Sequence, residues 1–483
     1  MTTIARRSFL QQIAGSSVFA AVSKSFAATS TAKRPNILFL TADDMNYNAL
    51  GATGCKIRDI TPNLDRLASE GTRFTHAHVT VAVCQPSRSV LMTGRYPHRN
   101  GAVGFNAIRD DVPTLQESLA AAGYLNGIFA KVEHLTPRTK FCWDTVVEAA
   151  ALGNGRVPSL YYQHTKQFLE AAKAAGKPFF LMANSQDPHR PFAGSEPPKA
   201  GKKAAKKKVI AATGVSRTIQ PDEVEVPGFL PDLPPVRREI AQYYTSVHRC
   251  DETVGEVLRA LEESGLEDNT LVMFLSDNGM AFPFAKTNCY LTSTATPWIV
   301  RWPDRVAAGR VDAANFISGI DFTPTILDAA GLPQIAGMDG RSFLPVLRGE
   351  KQDGRDLVFT VFHLTSANNE YLMRSVQNAK YGYIYNPWSD GRTIFRNESQ
   401  AGLTFAAMRE AAKTDEKIAA RVRMFLYRVP EEFYDYESDP CALKNLIDDP
   451  KYAPEIARMR KAMLEKMTAC DDPLSQKFRP VVR

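Results

Sequence analysis

A cysteine followed closely by a proline, a serine and an arginine is the first group in the chain that could do chemistry. The segment reads CQPSRSVLMTGR from Cys84 to Arg95. Its pattern predicts a short helix that begins near Cys84 and stops at Gly94. Backbone N–H groups at the start of a helix favour negative charge, so a nucleophile or an anionic ligand would be stabilised there. The alternative is a buried structural cysteine.

Polar residues follow each of four apolar runs, which cover residues 36–42, 124–130, 178–183 and 270–276. Continuous apolar runs are typical of strands buried on both faces of a parallel sheet. Because parallel strands end at the same edge of their sheet, we expect the polar residues to gather there. In chain order they are Asp43 and Asp44, Lys131 and His134, Asp187 and His189, and Asp277 and Asn278.

Such a cluster has a definite chemistry. Adjacent buried carboxylates are costly unless they share a cation, and three carboxylates with an amide oxygen suit Ca²⁺ or Mg²⁺. The lysines, the histidines and Arg88 would surround an anion bound to that cation. A phosphatase-type thiolate site is excluded because its C-x5-R pattern would need arginine where Val90 stands. No protease signature surrounds Cys84.

The elements around these residues predict an α/β fold. Helical patterns separate the apolar runs, so residues 34–350 are expected to form a large, mostly parallel sheet flanked by helices. Residues 351–483 are expected to form a smaller α+β subdomain with an antiparallel sheet. Its predicted strands cover 357–363, 370–377, 381–385 and 432–436, and its predicted helices cover 401–412 and 453–468.

Composition limits the classes of function. The net charge is +7, and 44% of the residues are hydrophobic. The chain has no long basic stripe with interleaved aromatic residues, so its sequence does not indicate nucleic-acid binding. Residues 1–27 read as a twin-arginine-type signal peptide, so we expect export to the periplasm or cell exterior without a membrane span. The seven cysteines show no CxxC spacing. Six lysines between Lys199 and Lys208 form a solvated loop or an electropositive lip.

The segment from Cys84 to Arg95 resembles the type I sulfatase signature C-x-P-S-R-x-x-x-L-T-G-R. The resemblance extends from about Pro35 to Asp449. It implies an alkaline-phosphatase-like fold and places the chain nearest the sulfamidase branch, through segments 187–190, 282–290 and 373–377. It also implies a sulfated saccharide substrate and a maturation enzyme that converts Cys84 to formylglycine. A homodimer is left open.

The resemblance further implies a role for each matching residue. Ca²⁺ would be bound by Asp43, Asp44, Asp277, Asn278 and the modified residue 84. Formylglycine 84, as its hydrate, would be the nucleophile, and Arg88 would hold it in its reactive form. Lys131, His189 and Lys286 would bind sulfate oxygens, and His189 would also protonate the leaving group. His134 would assist elimination of sulfate from residue 84.

Two departures from the family pattern matter. One extra residue separates Lys131 from His134, and the usual flanking glycines are missing. Lys286 stands where the sulfamidase-like pattern has arginine.

The sequence as a whole predicts a sulfatase that acts on a sulfate ester or an N-sulfate. A phosphodiester or phosphonate monoester hydrolase, and a non-catalytic binder of sulfated polysaccharide, are the alternatives.

Overall fold

An eight-stranded sheet carries the polar strand ends. The computed structural model describes residues 34–195 and 214–482, so the predicted signal peptide and the segment Lys199–Lys208 lie outside the described residues. The sheet has the order β5-β4-β6-β1-β7-β8-β2-β9. Its strands are β1 (Asn36–Asp43), β2 (Thr72–Phe74), β4 (Leu125–Phe129), β5 (Thr145–Val147), β6 (Phe179–Pro188), β7 (Thr270–Ser276), β8 (Trp298–Arg301) and β9 (Arg310–Asp312). A separate pair joins β3 (Ala77–His78) to β10 (Ile317–Ser318).

The four strands predicted from apolar runs are neighbours in this sheet. β4, β6, β1 and β7 lie side by side, and every pairing among them is parallel. β8 runs antiparallel to both of its neighbours, β7 and β2. The predicted fold class, a large and mostly parallel sheet flanked by helices, is confirmed.

Two hydrophobic layers cover the sheet because side chains alternate along its central strand. Leu38 and Leu40 of β1 pack among helices that include Pro158–Ala175 and Pro234–Ser264. Ile37 and Phe39 pack in the opposite layer, among helices that include Leu115–Ala121. The described helices are Pro62–Ser69, Cys84–Thr93, Pro97–Asn100, Leu115–Ala121, Pro158–Ala175, Pro234–Ser264, Leu291–Thr294, Phe322–Ala329, Leu344–Leu347, Leu403–Ala411, Glu416–Tyr427, Ala453–Ala469 and Ser475–Phe478.

A four-stranded antiparallel sheet occupies the C-terminal part, as predicted. Its order follows the chain: β11 (Val358–Leu364), β12 (Glu370–Gln377), β13 (Tyr381–Tyr385) and β14 (Glu431–Asp435). The helix Glu416–Tyr427 was not predicted. Backbone and side-chain hydrogen bonds tie this sheet to loops of the larger one, including Val361 N–H to Thr80 C=O at 2.9 Å and Gln377 Nε2 to Cys289 C=O at 3.2 Å. The domain boundary near residue 350 stays a prediction.

Among residues 34–195 and 214–482, no helix is long and apolar enough to cross a membrane.

Candidate active site

The carboxyl ends of β1, β4, β6 and β7 meet at the base of a cavity of about 550 Å³. Its wall includes five of the predicted site residues: Cys84, Lys131, His134, His189 and Lys286. The other five are fully buried: Asp43, Asp44, Arg88, Asp277 and Asn278. The gathering of strand-end residues that the sequence predicted is therefore present. The roles proposed for the individual residues stay predictions.

The helix Cys84–Thr93 begins at the cavity, and all ten of its residues are buried. Cys84 is its first residue, and Arg88 is four positions later, so both side chains lie on one face. Gly94 ends the helix with a left-handed φ of 64°. A Cβ at Gly94 would lie 2.9 Å from Met338 Sδ, so the Met338 side chain would have to shift, and the left-handed φ would strain any larger residue.

Arg88 is held by three side chains beneath the cavity. Its guanidinium donates to Thr41 Oγ1 at 2.9 Å, to Asn184 Oδ1 at 2.6 Å and to Asp277 Oδ2 at 2.8 Å. Burial opposes its charge, but Asp277 and Asp43 outweigh that effect and raise the pKa of Arg88. Three hydrogen bonds to buried side chains make this cation a rigid part of the site, although its Nε has no hydrogen-bond partner within the described residues.

Three carboxylates and the Cys84 sulfur converge beside this arginine. Each of Asp43, Asp44, Cys84 and Asp277 offers an atom within 4.8 Å of the others. Neighbours in a strand point to opposite faces. Asp44 avoids this because it leaves β1 with a left-handed φ of 70°, and its N–H then donates to Asp277 Oδ1 at 3.1 Å. Both adjacent aspartates therefore reach one site.

The donor set fits a hard divalent cation. Burial, with the charge of Asp43, raises the pKa of Asp277 to about 7, and burial raises the pKa of Asp44 to about 7. Asn278 Oδ1 is buried without a hydrogen-bond partner, while its Nδ2 donates to Asp44 Oδ1 at 2.7 Å. Crowded carboxylates and an amide oxygen without a donor are what Ca²⁺ binds in proteins. Asp43, Asp44, Asp277 and Asn278 would hold it.

Lysine and histidine side chains lie between this cluster and the cavity. Lys131 contacts Asp43, and Lys286 Nζ lies 2.8 Å from Asp44 Oδ1. His189 pairs through Nδ1 with the carbonyl of Arg190 at 2.6 Å, so Nδ1 carries the proton and Nε2 lies 3.9 Å from Asp44 Oδ2. Burial, with the charge of Lys286, lowers the pKa of His189 to about 4. A bound sulfate would meet at least two fixed cations here.

The extra residue between Lys131 and His134 is accommodated by local backbone. Ala130 and Lys131 both have left-handed φ values, of 53° and 54°, and a single 3₁₀ turn follows at Val132–His134. This sharp turn brings His134 to the cavity wall. Burial, with the charge of Lys131, holds the pKa of His134 well below its usual value.

The Cys84 thiol is a poor nucleophile in this environment. It is 2% exposed, and its Sγ donates to Asp43 Oδ1 at 3.3 Å. Burial, with the charge of Asp43, raises the pKa of Cys84 well above its usual value. Since the thiolate is the reactive form, this environment disfavours the encoded side chain as a nucleophile.

Three residues near the site had no signal in the sequence. Asn184 lies mid-strand in β6, where it binds Arg88. Arg156 pairs with Asp187 and donates to the His189 carbonyl at 2.9 Å. Asp187 also pairs with Arg249 at 2.6 Å, so this strand-end carboxylate is already balanced.

Glu398 is the third residue near the site that had no signal in the sequence. It lies far along the chain from every motif and lines the cavity. It pairs with Lys286 at 2.5 Å. Burial opposes its ionisation, but Lys286 and His189 outweigh that effect and lower the pKa of Glu398 to about 2.

A buried carboxylate cluster under a basic cavity, at the carboxyl edge of a parallel sheet, defines an enzyme that acts on anionic esters. The sulfatase family model matches residues 35–332, and the model for the C-terminal part of N-sulphoglucosamine sulphohydrolase matches residues 281–388. The chain belongs to the sulfatase family and is a sulfuric ester hydrolase.

Relatives of two kinds extend over more than nine tenths of the chain. Human N-sulphoglucosamine sulphohydrolase is 32% identical, over 92% of this chain and 91% of its own length. An ulvan-active sulfatase from Formosa agariphila is 28% identical, over 93% of this chain and 83% of its own.

Solved structures share the fold. BT4656, solved with its substrate D-glucosamine-2-N,6-O-disulfate, superposes with a TM-score of 0.68 at 20% identity, over 91% of this chain and 99% of its own. A phosphonate monoester hydrolase of Agrobacterium radiobacter gives 0.65 at 18% identity, over 90% and 96%. At these identities the likeness concerns the fold alone.

Proposed function

We propose that this protein releases sulfate from a sulfated amino sugar of glycosaminoglycan type, with Ca²⁺ bound by the carboxylate cluster and with residue 84 converted to formylglycine. The observation that carries the proposal is the position of Cys84. It lies at a helix start, between three buried carboxylates below and a basic cavity above. A thiol in this position is a poor nucleophile, whereas the hydrated aldehyde formed when its sulfur is replaced would be a good one.

The residues around the cavity have distinct tasks in this proposal. The hydrated aldehyde of residue 84 supplies the nucleophile, and the cation supplies a positive charge that balances sulfate. Arg88, held by Thr41, Asn184 and Asp277, orients residue 84. Lys131 and Lys286 offset the charge on the sulfate oxygens, which lowers the barrier by electrostatic stabilisation.

Proton transfer falls to the two histidines. The Nδ1–H of His189 donates to the Arg190 carbonyl, so Nε2 is the nitrogen left to face the leaving atom. Nε2 carries no proton in this neutral tautomer, so the ring must first take up a proton, which the negative charge of a bound sulfate favours, before Nε2 can protonate the leaving atom. His134 is a buried neutral imidazole that accepts a proton while sulfate leaves residue 84. Its Nδ1 has no hydrogen-bond partner within the described residues, so a ring nitrogen is available for this step.

The amino-sugar substrate is supported by the relatives. N-sulphoglucosamine sulphohydrolase matches almost the whole chain, and the family model for its C-terminal part covers β11, β12 and β13 of the four-stranded antiparallel sheet. Lys286 in place of arginine gives one ammonium contact where a guanidinium would give two parallel ones. N-sulfate and O-sulfate release are therefore the two forms of the proposal to compare.

The test is sulfate release from defined saccharides by the matured enzyme. N-sulfoglucosamine, glucosamine 6-sulfate, a sulfated uronic acid and an aryl phosphonate would be compared, with Cys84→Ala as the blank. Turnover of a sulfated amino sugar above all others is expected. Preferential turnover of the phosphonate would favour the phosphonate hydrolase alternative. Saccharide binding without turnover by matured protein would favour the non-catalytic binder.

Maturation and export belong to the same proposal. A formylglycine-generating enzyme is the partner that would modify Cys84, and residues 1–27 would direct export. Mass analysis of the peptide containing residue 84 tests the first point. N-terminal analysis of the secreted protein tests the second.

A further inference from the structure

Glu398 is a negative charge in a cavity that otherwise suits an anion. Its carboxylate lies 2.5 Å from Lys286 Nζ, and its side chain keeps 29% of its exposure. Lys286 Nζ also lies 2.8 Å from Asp44 Oδ1, but Asp44 is one of the residues that would hold Ca²⁺. Glu398 therefore partners Lys286, and it also places a hydrogen-bond acceptor in the cavity wall beside the lysine that would meet a bound anion.

The neighbouring residues hold Glu398 at a defined place in the wall. Asn397 Nδ2 donates to Thr287 Oγ1 at 2.6 Å, next to Lys286 in the chain. Ser399 is fully buried, and its Oγ donates to Asn397 Oδ1 at 2.7 Å. Glu398 begins a short 3₁₀ helix that ends at Ala401. The carboxylate is thus a fixed part of the cavity, unlike a mobile acid on a rim.

The C-terminal part of the chain supplies this section of the wall. Glu398 lines the cavity together with Thr365 and Ser366, whereas Lys131 and His134 come from the end of β4. The cations at the strand ends suit the sulfate group. A saccharide whose sulfate lay at these cations would then have its neighbouring atoms beside the section that contains Glu398.

We propose that Glu398 is a specificity-determining residue whose carboxylate accepts a hydrogen bond from the nitrogen-bearing group of a sulfated amino sugar. The inference rests on the proposed function. An ionised carboxylate accepts hydrogen bonds and cannot donate them. It therefore favours an N–H or an ammonium next to the sulfate, and it repels a carboxylate or a second sulfate at that position.

The test compares two sulfated substrates in Glu398→Gln. N-sulfoglucosamine carries the N–H, and 4-nitrophenyl sulfate does not. The variant is expected to lower kcat/KM for N-sulfoglucosamine by about tenfold or more, while the aryl sulfate value stays the same or rises. Glu398→Asp keeps the charge and should restore the substrate ratio toward that of the wild type.

Glu225→Gln is the matched control. Glu225 pairs with Lys56 at 2.7 Å on the exposed surface, so this variant removes a similar lysine partner outside the cavity. It is expected to leave both kcat/KM values unchanged.

Two results with Glu398→Gln, and one with the wild-type enzyme, would overturn the inference. An equal fall for both substrates in Glu398→Gln would mean that Glu398 only positions Lys286, and unchanged values would mean that it has no role. A wild-type enzyme that cleaves the aryl sulfate but no sulfated amino sugar would refute the proposed function itself, and this inference with it.

Discussion

Replacing Arg88 with methionine is the sharpest test of how the site is held together. Arg88 and Asp277 form an ion pair at 2.8 Å with neither side chain exposed to solvent. Methionine fills a similar volume without a charge or a donor. The variant would leave the Asp277 carboxylate buried without its partner, and Thr41 Oγ1 and Asn184 Oδ1 would each lose a donor.

The size of the effect follows from this burial. Removing one partner of a buried ion pair destabilises a protein by about 3 to 5 kcal/mol. The loss of one preorganised hydrogen-bond donor at a reacting centre lowers kcat by roughly 10² to 10³. Arg88→Met should therefore unfold at a clearly lower urea concentration than the wild type. It should also release sulfate at least about a hundred times more slowly, which is the lower end of the range for kcat.

The assay separates folding from catalysis. Urea unfolding is measured in excess chelator, so that bound metal does not differ between variants, and the state of residue 84 is read by mass analysis. Arg374→Met is the control, because the Arg374–Asp472 pair at 2.5 Å is equally buried but lies in the C-terminal part. We expect a comparable loss of stability in the control with sulfate release retained.

Either of two results would refute this reasoning. If Arg88→Met were as stable as the wild type, the ion pair would not support the site. If it released sulfate at the wild-type rate with residue 84 fully modified, Arg88 would have no part in orienting that residue.

Three further predictions concern the nucleophile, the metal and acid stability. Cys84→Ala should abolish sulfate release and leave the unfolding temperature nearly unchanged, and activity near the wild-type level would contradict a role for residue 84. Chelation should lower both the activity and the unfolding temperature, with Ca²⁺ restoring them. An unfolding temperature that ignores chelator and Ca²⁺ alike would argue against a metal at the carboxylate cluster. Burial lowers the pKa of His78 to about 3, so between pH 6.5 and 3 the unfolded chain binds a proton that the folded chain does not. Stability should then fall with decreasing pH by about 1.4 kcal/mol per unit from this group, and His78→Gln should unfold in urea with a weaker pH dependence over that window.

The sheet was predictable where the chain is apolar without interruption. β1, β4, β6 and β7 are buried on both faces, so their sequences show long apolar runs and polar ends. Strand direction leaves no such mark. β8 has the same apolar character and yet runs antiparallel to β7, which only its tertiary pairing shows.

The site was predictable only where chemistry and backbone meet at a strand end or a helix start. Asp43 follows an apolar run and Cys84 begins a helix pattern, so the neighbouring sequence indicates that both lie in the site. Asn184 and Glu398 act through distant partners, and a mid-strand asparagine or a loop glutamate resembles many others in the chain. Such contacts depend on tertiary structure, which brings residues more than a hundred positions apart together, as in the Glu398–Lys286 pair.

The burial of the helix Cys84–Thr93 has a consequence for the order of events in biogenesis. The proposed maturation enzyme would recognise Cys84 by neighbours such as Pro86, Ser87 and Arg88, and in the folded protein each of these is buried. On that proposal, modification would have to precede packing of this helix against the sheet. A molecule that folded first would keep its thiol, and the fraction of active protein would be set by a competition between folding and maturation.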